Sequence, residues 1–136
     1  MKEIRRGDIY FVSPKINNEE IKTRPAVIVS NNTGNEHSGN VIVAYLTSQE
    51  KKNYPMHVII ESTGKESVVL CEHIETISKE RLESYMCMAT EEEMMAIDNA
   101  LMLSFGIQNN CRNDRLETII AERNAYKKII MEMIRK

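Results

Sequence analysis

The chain has 136 residues, of which 42% are hydrophobic and 28% charged, with a formal net charge of −2 and a pI near 6.0. These values suit one folded domain with a real core, and they argue against a disordered chain or a surface coated in positive charge for nucleic acid. With no Trp and two Phe, the core must be aliphatic and rich in Met.

Ile9, Tyr10, Phe11 and Val12 follow Gly7-Asp8 and predict a first strand ending near Ser13-Pro14. A polar loop from Lys15 to Lys22 delivers the chain to Thr23-Arg24-Pro25. Pro25 has no backbone N–H and biases Arg24 towards an extended conformation, so it suits a strand entrance. Ala26, Val27, Ile28 and Val29 form an unbroken apolar run, which predicts a strand covered on both faces. Arg24 is then held at the mouth of a rigid strand, where its guanidinium can face an anion. Taken alone, it also fits a surface ion pair.

Asn31 to Asn40 is rich in Asn, Gly, Ser and Thr and predicts turns, with His37 as a solvated loop residue. Val41 to Leu46 predicts a third strand ending in Thr47-Ser48. Lys51, Lys52 and Tyr54 lie in the basic loop that follows. Met56, Val58 and Ile60 alternate along a fourth strand within 56–61; after the Gly64 turn, Val68 to Cys71 is a further apolar run, continued by Ile74 and Ile77. Short strands separated by turns predict a small antiparallel barrel.

Thr90 with Glu93 is a capping box, and Glu91, Glu92 and Glu93 suit the positive end of a helix dipole. Met94, Ile97, Leu101 and Phe105 share a helical face expected to cover the barrel, and Gly106 is placed to stop the helix. A second helix is expected from Asp114 to about Arg135, with Leu116, Ile119, Arg123, Tyr126, Ile130 and Met133 in a coiled-coil-like stripe. The expected division is thus a barrel with its covering helix over 1–107 and a helical extension over 108–136.

Charge is distributed unevenly: residues 1–60 carry +2, 61–107 carry −7 and 108–136 carry +3. An anionic substrate would meet the first or last of these. Cys71, Cys87 and Cys111 show neither a disulfide framework nor zinc-ligand spacing, which fits reduced thiols in the cytoplasm. No signal-peptide segment and no run of membrane-spanning length is present, so no membrane partner is expected.

Arg24 begins one strand and Thr47 ends another, so an antiparallel pairing can bring a guanidinium and a hydroxyl to one anion. Lys51, Lys52 and Tyr54 could hold flanking nucleotides by charge and stacking. On these residues alone, binding and cleavage are equally open.

The chain resembles the MazF/PemK family of toxins from toxin–antitoxin pairs. Arg6-Gly7-Asp8-Ile9-Tyr10, Arg24-Pro25-Ala26-Val27-Ile28-Val29, Leu46-Thr47-Ser48 and the stretch Val68 to Ile77 carry the resemblance, with Lys79-Glu80-Arg81-Leu82 and the helix to Phe105. It implies an SH3-like barrel of the CcdB/MazF-like kind, mainly β with C-terminal helices, that dimerises and cleaves single-stranded RNA without metal or cofactor. By the same resemblance Arg24 and Thr47 are catalytic, Glu19 and Glu72 are acid–base candidates, and Lys22, Thr23, Ser48, Lys51, Lys52 and Tyr54 bind RNA. A cognate antitoxin is the implied protein partner. Relatives with this barrel also act by binding a protein such as gyrase, so a non-catalytic module is the alternative. Three departures stand out: Glu20 replaces a usual Gln, Lys22 a usual Gly, and Leu70 an Arg that some members use.

Overall fold

The computed structural model describes residues 3–14, 23–49 and 54–107. Among them are strands β1 (Asp8–Val12), β2 (Arg24–Ile28), β3 (Asn40–Thr47), β4 (His57–Ile60), β5 (Ser67–Ser78) and β6 (Leu82–Met88), with helices α1 (Asn32–His37) and α2 (Glu91–Ser104). The strands form one antiparallel sheet in the order β4-β5-β3-β2-β1-β6. The mainly β architecture with a covering helix is as expected; the proposed second helix lies outside the described residues.

Two apolar clusters occupy the two faces of the sheet. On one, Ile9, Val27, Leu46, Ile60, Val69 and Cys71 pack with Ile97, Ala100 and Leu101 of α2. On the other, Tyr10, Val12, Ala26, Ile28, Val43, Tyr45 and Ile77 pack together, with Ile4 and Leu82 at the margin. Ala26, Val27 and Ile28 are all fully buried because both faces of β2 are covered, which is why its sequence is apolar without alternation. β4, an edge strand, alternates instead: Val58 and Ile60 are buried while Ile59 is exposed.

Gly7 makes the turn into β1 at φ +97, a region that favours glycine. Its N–H donates to the Ile28 carbonyl and its carbonyl accepts from Ala89, so this turn ties β2 to the entrance of α2. The capping box is present: Glu93 N donates to Thr90 Oγ1 at 3.1 Å and Thr90 N to Glu93 Oε1 at 3.0 Å.

Three local expectations need correction. Residues 32–37 form a short helix within the expected run of turns, since Asn31 Oδ1 accepts from Gly34 N at 2.7 Å as an N-cap and Asn35 is buried against Ser30. The side-chain to backbone bonding that favours turns also starts helices. β6 was not expected as a strand: its burial does not alternate and its pairing with β1 slips register, as suits an irregular edge. Phe105 does not join the buried face of α2; it is the C-cap and is 65% exposed, followed by Gly106 at φ +78.

Candidate functional site

Arg24 is the first residue of β2 and Thr47 the last of β3. The register Ala26↔Tyr45, Val27↔Ala44, continued two residues outward, sets Arg24 opposite Thr47. Paired residues project to the same face, so the guanidinium and the hydroxyl share one. Pro25 pairs with Phe11 of β1 at the end of the β2–β3 ladder, where a missing N–H is tolerated. The observed β2–β3 ladder ends at Ala26↔Tyr45, two residues short of this pair.

The Arg24 guanidinium lies over the Tyr45 ring, 4.9 Å from its centroid. Such a contact at an exposed cation contributes about 0.5–1 kcal/mol, enough to bias its orientation. Tyr45 OH donates to Glu75 Oε2 at 2.8 Å, and Arg81 Nη1 donates to Glu75 Oε1 at 2.8 Å. Arg81 Nε donates in turn to the Ser13 carbonyl at 3.0 Å. Burial first, and then the hydrogen bond and charge of Glu75, push the Tyr45 hydroxyl above its ordinary value, so it remains a neutral donor. Thr47 Oγ1 accepts from Gln49 N at 3.2 Å, which leaves its O–H hydrogen for an acceptor elsewhere.

The same face continues outward. Thr47 pairs with Val68, Val68 with Ile59, and Leu70 with His57. Glu72 Oε1 lies 2.7 Å from His57 Nε2; the imidazole is nearly buried and the carboxylate one-third exposed. Tyr54 meets His57 edge-on, with centroids 5.2 Å apart, and is itself half exposed. Leu70 is buried, so no cation occupies that place on this strand.

Of the residues singled out from sequence, Arg24, Thr47, Thr23, Ser48, Tyr54 and Glu72 are described, and Thr23 and Ser48 are exposed beside Arg24 and Thr47 in the chain. Glu19, Lys22, Lys51 and Lys52 lie outside the described residues. His37 ends α1 with an exposed side chain, as expected of a solvated residue. Tyr45, Glu75, Arg81 and His57 were missed. Strand alternation could have found Tyr45, two residues before Thr47 and so on its face; Glu75 and Arg81 carry no local signal of their role. Among the described residues, no group of three or more His, Cys, Asp and Glu could hold a metal ion, and no helix is long and apolar enough to cross a membrane.

The family model described as PemK-like, MazF-like toxin of type II toxin–antitoxin system matches residues 5–105. Endoribonuclease MazF of Staphylococcus epidermidis is 42% identical over 113 residues, spanning 78% of this chain and 94% of that protein. A mycobacterial endoribonuclease solved in complex with its cognate antitoxin superposes with a TM-score of 0.69 at 28% identity, covering 77% of this chain and 97% of that one. A second mycobacterial endoribonuclease structure gives 0.67 at 29% identity, covering 79% and 95%. The fold expected from the sequence is the fold of these solved structures.

Proposed function

The chain belongs to the PemK-like, MazF-like toxins of type II toxin–antitoxin systems, and from that premise we propose that it is an endoribonuclease that cuts single-stranded RNA at short motifs, using Arg24 and Thr47. The observation that carries this reading is that Arg24 opens β2 over the Tyr45 ring while Thr47 closes the adjacent antiparallel strand β3.

In the reaction, the ribose 2′-oxygen forms a bond to the adjacent phosphorus while the P–O5′ bond breaks, leaving a 2′,3′-cyclic phosphate, or its hydrolysed 3′-phosphate, and a 5′-OH. Negative charge grows on the phosphoryl oxygens. The Arg24 guanidinium and the Thr47 O–H are donors suited to those oxygens, and such donors strengthen most where charge develops. Glu72, oriented by His57, or Glu19 takes the 2′-OH proton; the departing O5′ gains one. No metal takes part in this scheme.

Thr23, Ser48 and Tyr54, with Lys22, Lys51 and Lys52, hold the flanking nucleotides. Phosphate contacts of this kind set register, while stacking on Tyr54 and loop contacts select bases. A cognate antitoxin is its protein partner, a reading supported by the similar toxin solved with its antitoxin, and the antitoxin holds the toxin inactive by occupying the RNA-binding face. Two copies form the working homodimer; exposed Tyr85 and Met88 on β6 offer apolar surface for it. The free thiols of Cys71 and Cys87 fit a cytoplasmic protein. The family match ends at residue 105, in keeping with 108–136 as an added segment.

The test is incubation of the full chain with a long single-stranded RNA in the presence of EDTA, with cut ends mapped and their 5′ groups assayed by kinase. Cuts at one motif with 5′-OH ends are expected. Absence of cleavage would favour a non-catalytic module that binds a protein partner.

A further inference from the structure

The residues beneath Arg24 are more than core. A long side chain at the open end of a strand has several rotamers within reach, and catalysis by fixed charge requires one of them to be held before the phosphate arrives. The chain supplies a platform for this. Tyr45 is 8% exposed, its ring lies under the guanidinium, and its hydroxyl is bound to Glu75. Glu75 is held in turn by Arg81, whose Nε donates to the Ser13 carbonyl while Ser13 N donates back to the Arg81 carbonyl. Strands β3 and β5, the turn before β6 and the segment after β1 thereby converge on the orientation of one ring.

The electrostatics point the same way. Arg81 neutralises Glu75, so the carboxylate does not draw Arg24 away from the open face, and the ring attracts the guanidinium without competing for its N–H donors. An acidic residue under Arg24 would have taken those donors from the substrate. A tyrosine leaves them aimed outward.

From this geometry we infer that Tyr45, pinned by Glu75 and Arg81, is a positioning residue that orients Arg24 for the scissile phosphate. The inference rests on the nuclease reading of Arg24. Tyr45 touches no reacting atom; it acts through the guanidinium.

The experiment measures single-turnover cleavage of a short RNA carrying the mapped motif, together with the Kd for the same RNA made 2′-deoxy at the cut position. Tyr45→Phe keeps the ring but frees it from Glu75, and is expected to slow cleavage about 3- to 10-fold; Tyr45→Leu removes the platform and is expected to slow it about 30-fold, with Kd within about threefold in both. Glu75→Gln should fall with Tyr45→Phe. The Arg24 Nε–H resonance should lose its ring-current displacement in Tyr45→Leu and lose part of it in Tyr45→Phe and Glu75→Gln, in the order of the rates, which mere loosening of the core would not produce. A rate for Tyr45→Phe within about twofold of the parent protein overturns the inference, as does a parallel fall in rate and RNA affinity. If Tyr45→Leu does not fold, the Phe and Gln variants decide. Arg24→Ala on the same RNA separates the two levels: unchanged cleavage there defeats the nuclease site itself, whereas lost cleavage with silent Tyr45 variants defeats only the positioning role.

Discussion

Arg6 reaches across the fold to Asp98 of α2, with Nη2 2.5 Å from the carboxylate, while its Nε donates to the Val29 carbonyl at 2.9 Å. One side chain therefore ties the segment before β1 to the end of β2 and to the helix. Asp98→Ala removes only a half-exposed ion pair and should cost about 0.5–1 kcal/mol, fading at high salt. Arg6→Ala also loses the bond to the Val29 carbonyl and the packing of its stem, and should cost about 1–2 kcal/mol. Urea unfolding of both variants at low and high salt checks the order; equal losses that do not respond to salt would contradict it.

Glu93 binds the turn after β4 as well as its own helix terminus. It accepts from Glu61 N at 2.8 Å, from Ser62 Oγ and from Thr90 N at 3.0 Å. Burial alone would raise its carboxyl, but these hydrogen bonds outweigh burial and hold it below the ordinary value of 4.5. A carboxyl depressed in this way stabilises the fold above its ordinary range, and that contribution is lost as pH falls from there through the lower folded value. Thermal melts between about pH 6 and pH 3 should therefore show a steeper loss of Tm for the parent protein than for Glu93→Gln. Parallel curves would remove Glu93 from the acid response.

For the proposed chemistry, Arg24→Ala should lower cleavage about 10²- to 10³-fold with little change in Tm, because the guanidinium is exposed and closes no core. Thr47→Val keeps shape and loses the hydroxyl, so it should lower the rate about tenfold or more, while Thr47→Ser restores most of it. Equal rates for Val and Ser at this position would rule out a donor role for Thr47.

Cys71 is fully buried, and its thiol is pushed up to about 12, first by burial and then by the charges of Glu72 and Asp98. At pH 8 only about one molecule in 10⁴ would carry the thiolate, the form that reacts with alkylating agents. Peptide mapping after iodoacetamide treatment should find Cys71 unmodified in the folded protein and modified in guanidinium chloride. Rapid labelling of the folded protein would show that this part of the core opens.

Much of the fold was legible because its signals are local. The apolar run at Ala26–Val29, the alternation in β4 and the Thr90/Glu93 pair each report on a few neighbouring residues. β6 escaped because an irregular edge strand has no clean pattern, and Phe105 was misplaced because helical spacing does not say where the last turn ends. The helix at 32–37 was hidden because Asn and Gly signal turns and caps alike.

By itself the sequence determined that Arg24 begins a buried strand and Thr47 ends another, since Pro25 and the apolar runs fix those boundaries through backbone sterics and burial. Only the tertiary structure decided what stands beneath them. Tyr45 and Glu75 are 30 residues apart and join through a hydrogen bond across the β3–β5 pairing, whose register carries an irregularity between Ala44 and Leu46. A shift of one residue in that pairing would turn Glu75 to the opposite face, because strand side chains alternate. Register is set by the whole sheet packing at once, and no local stretch of the chain specifies it.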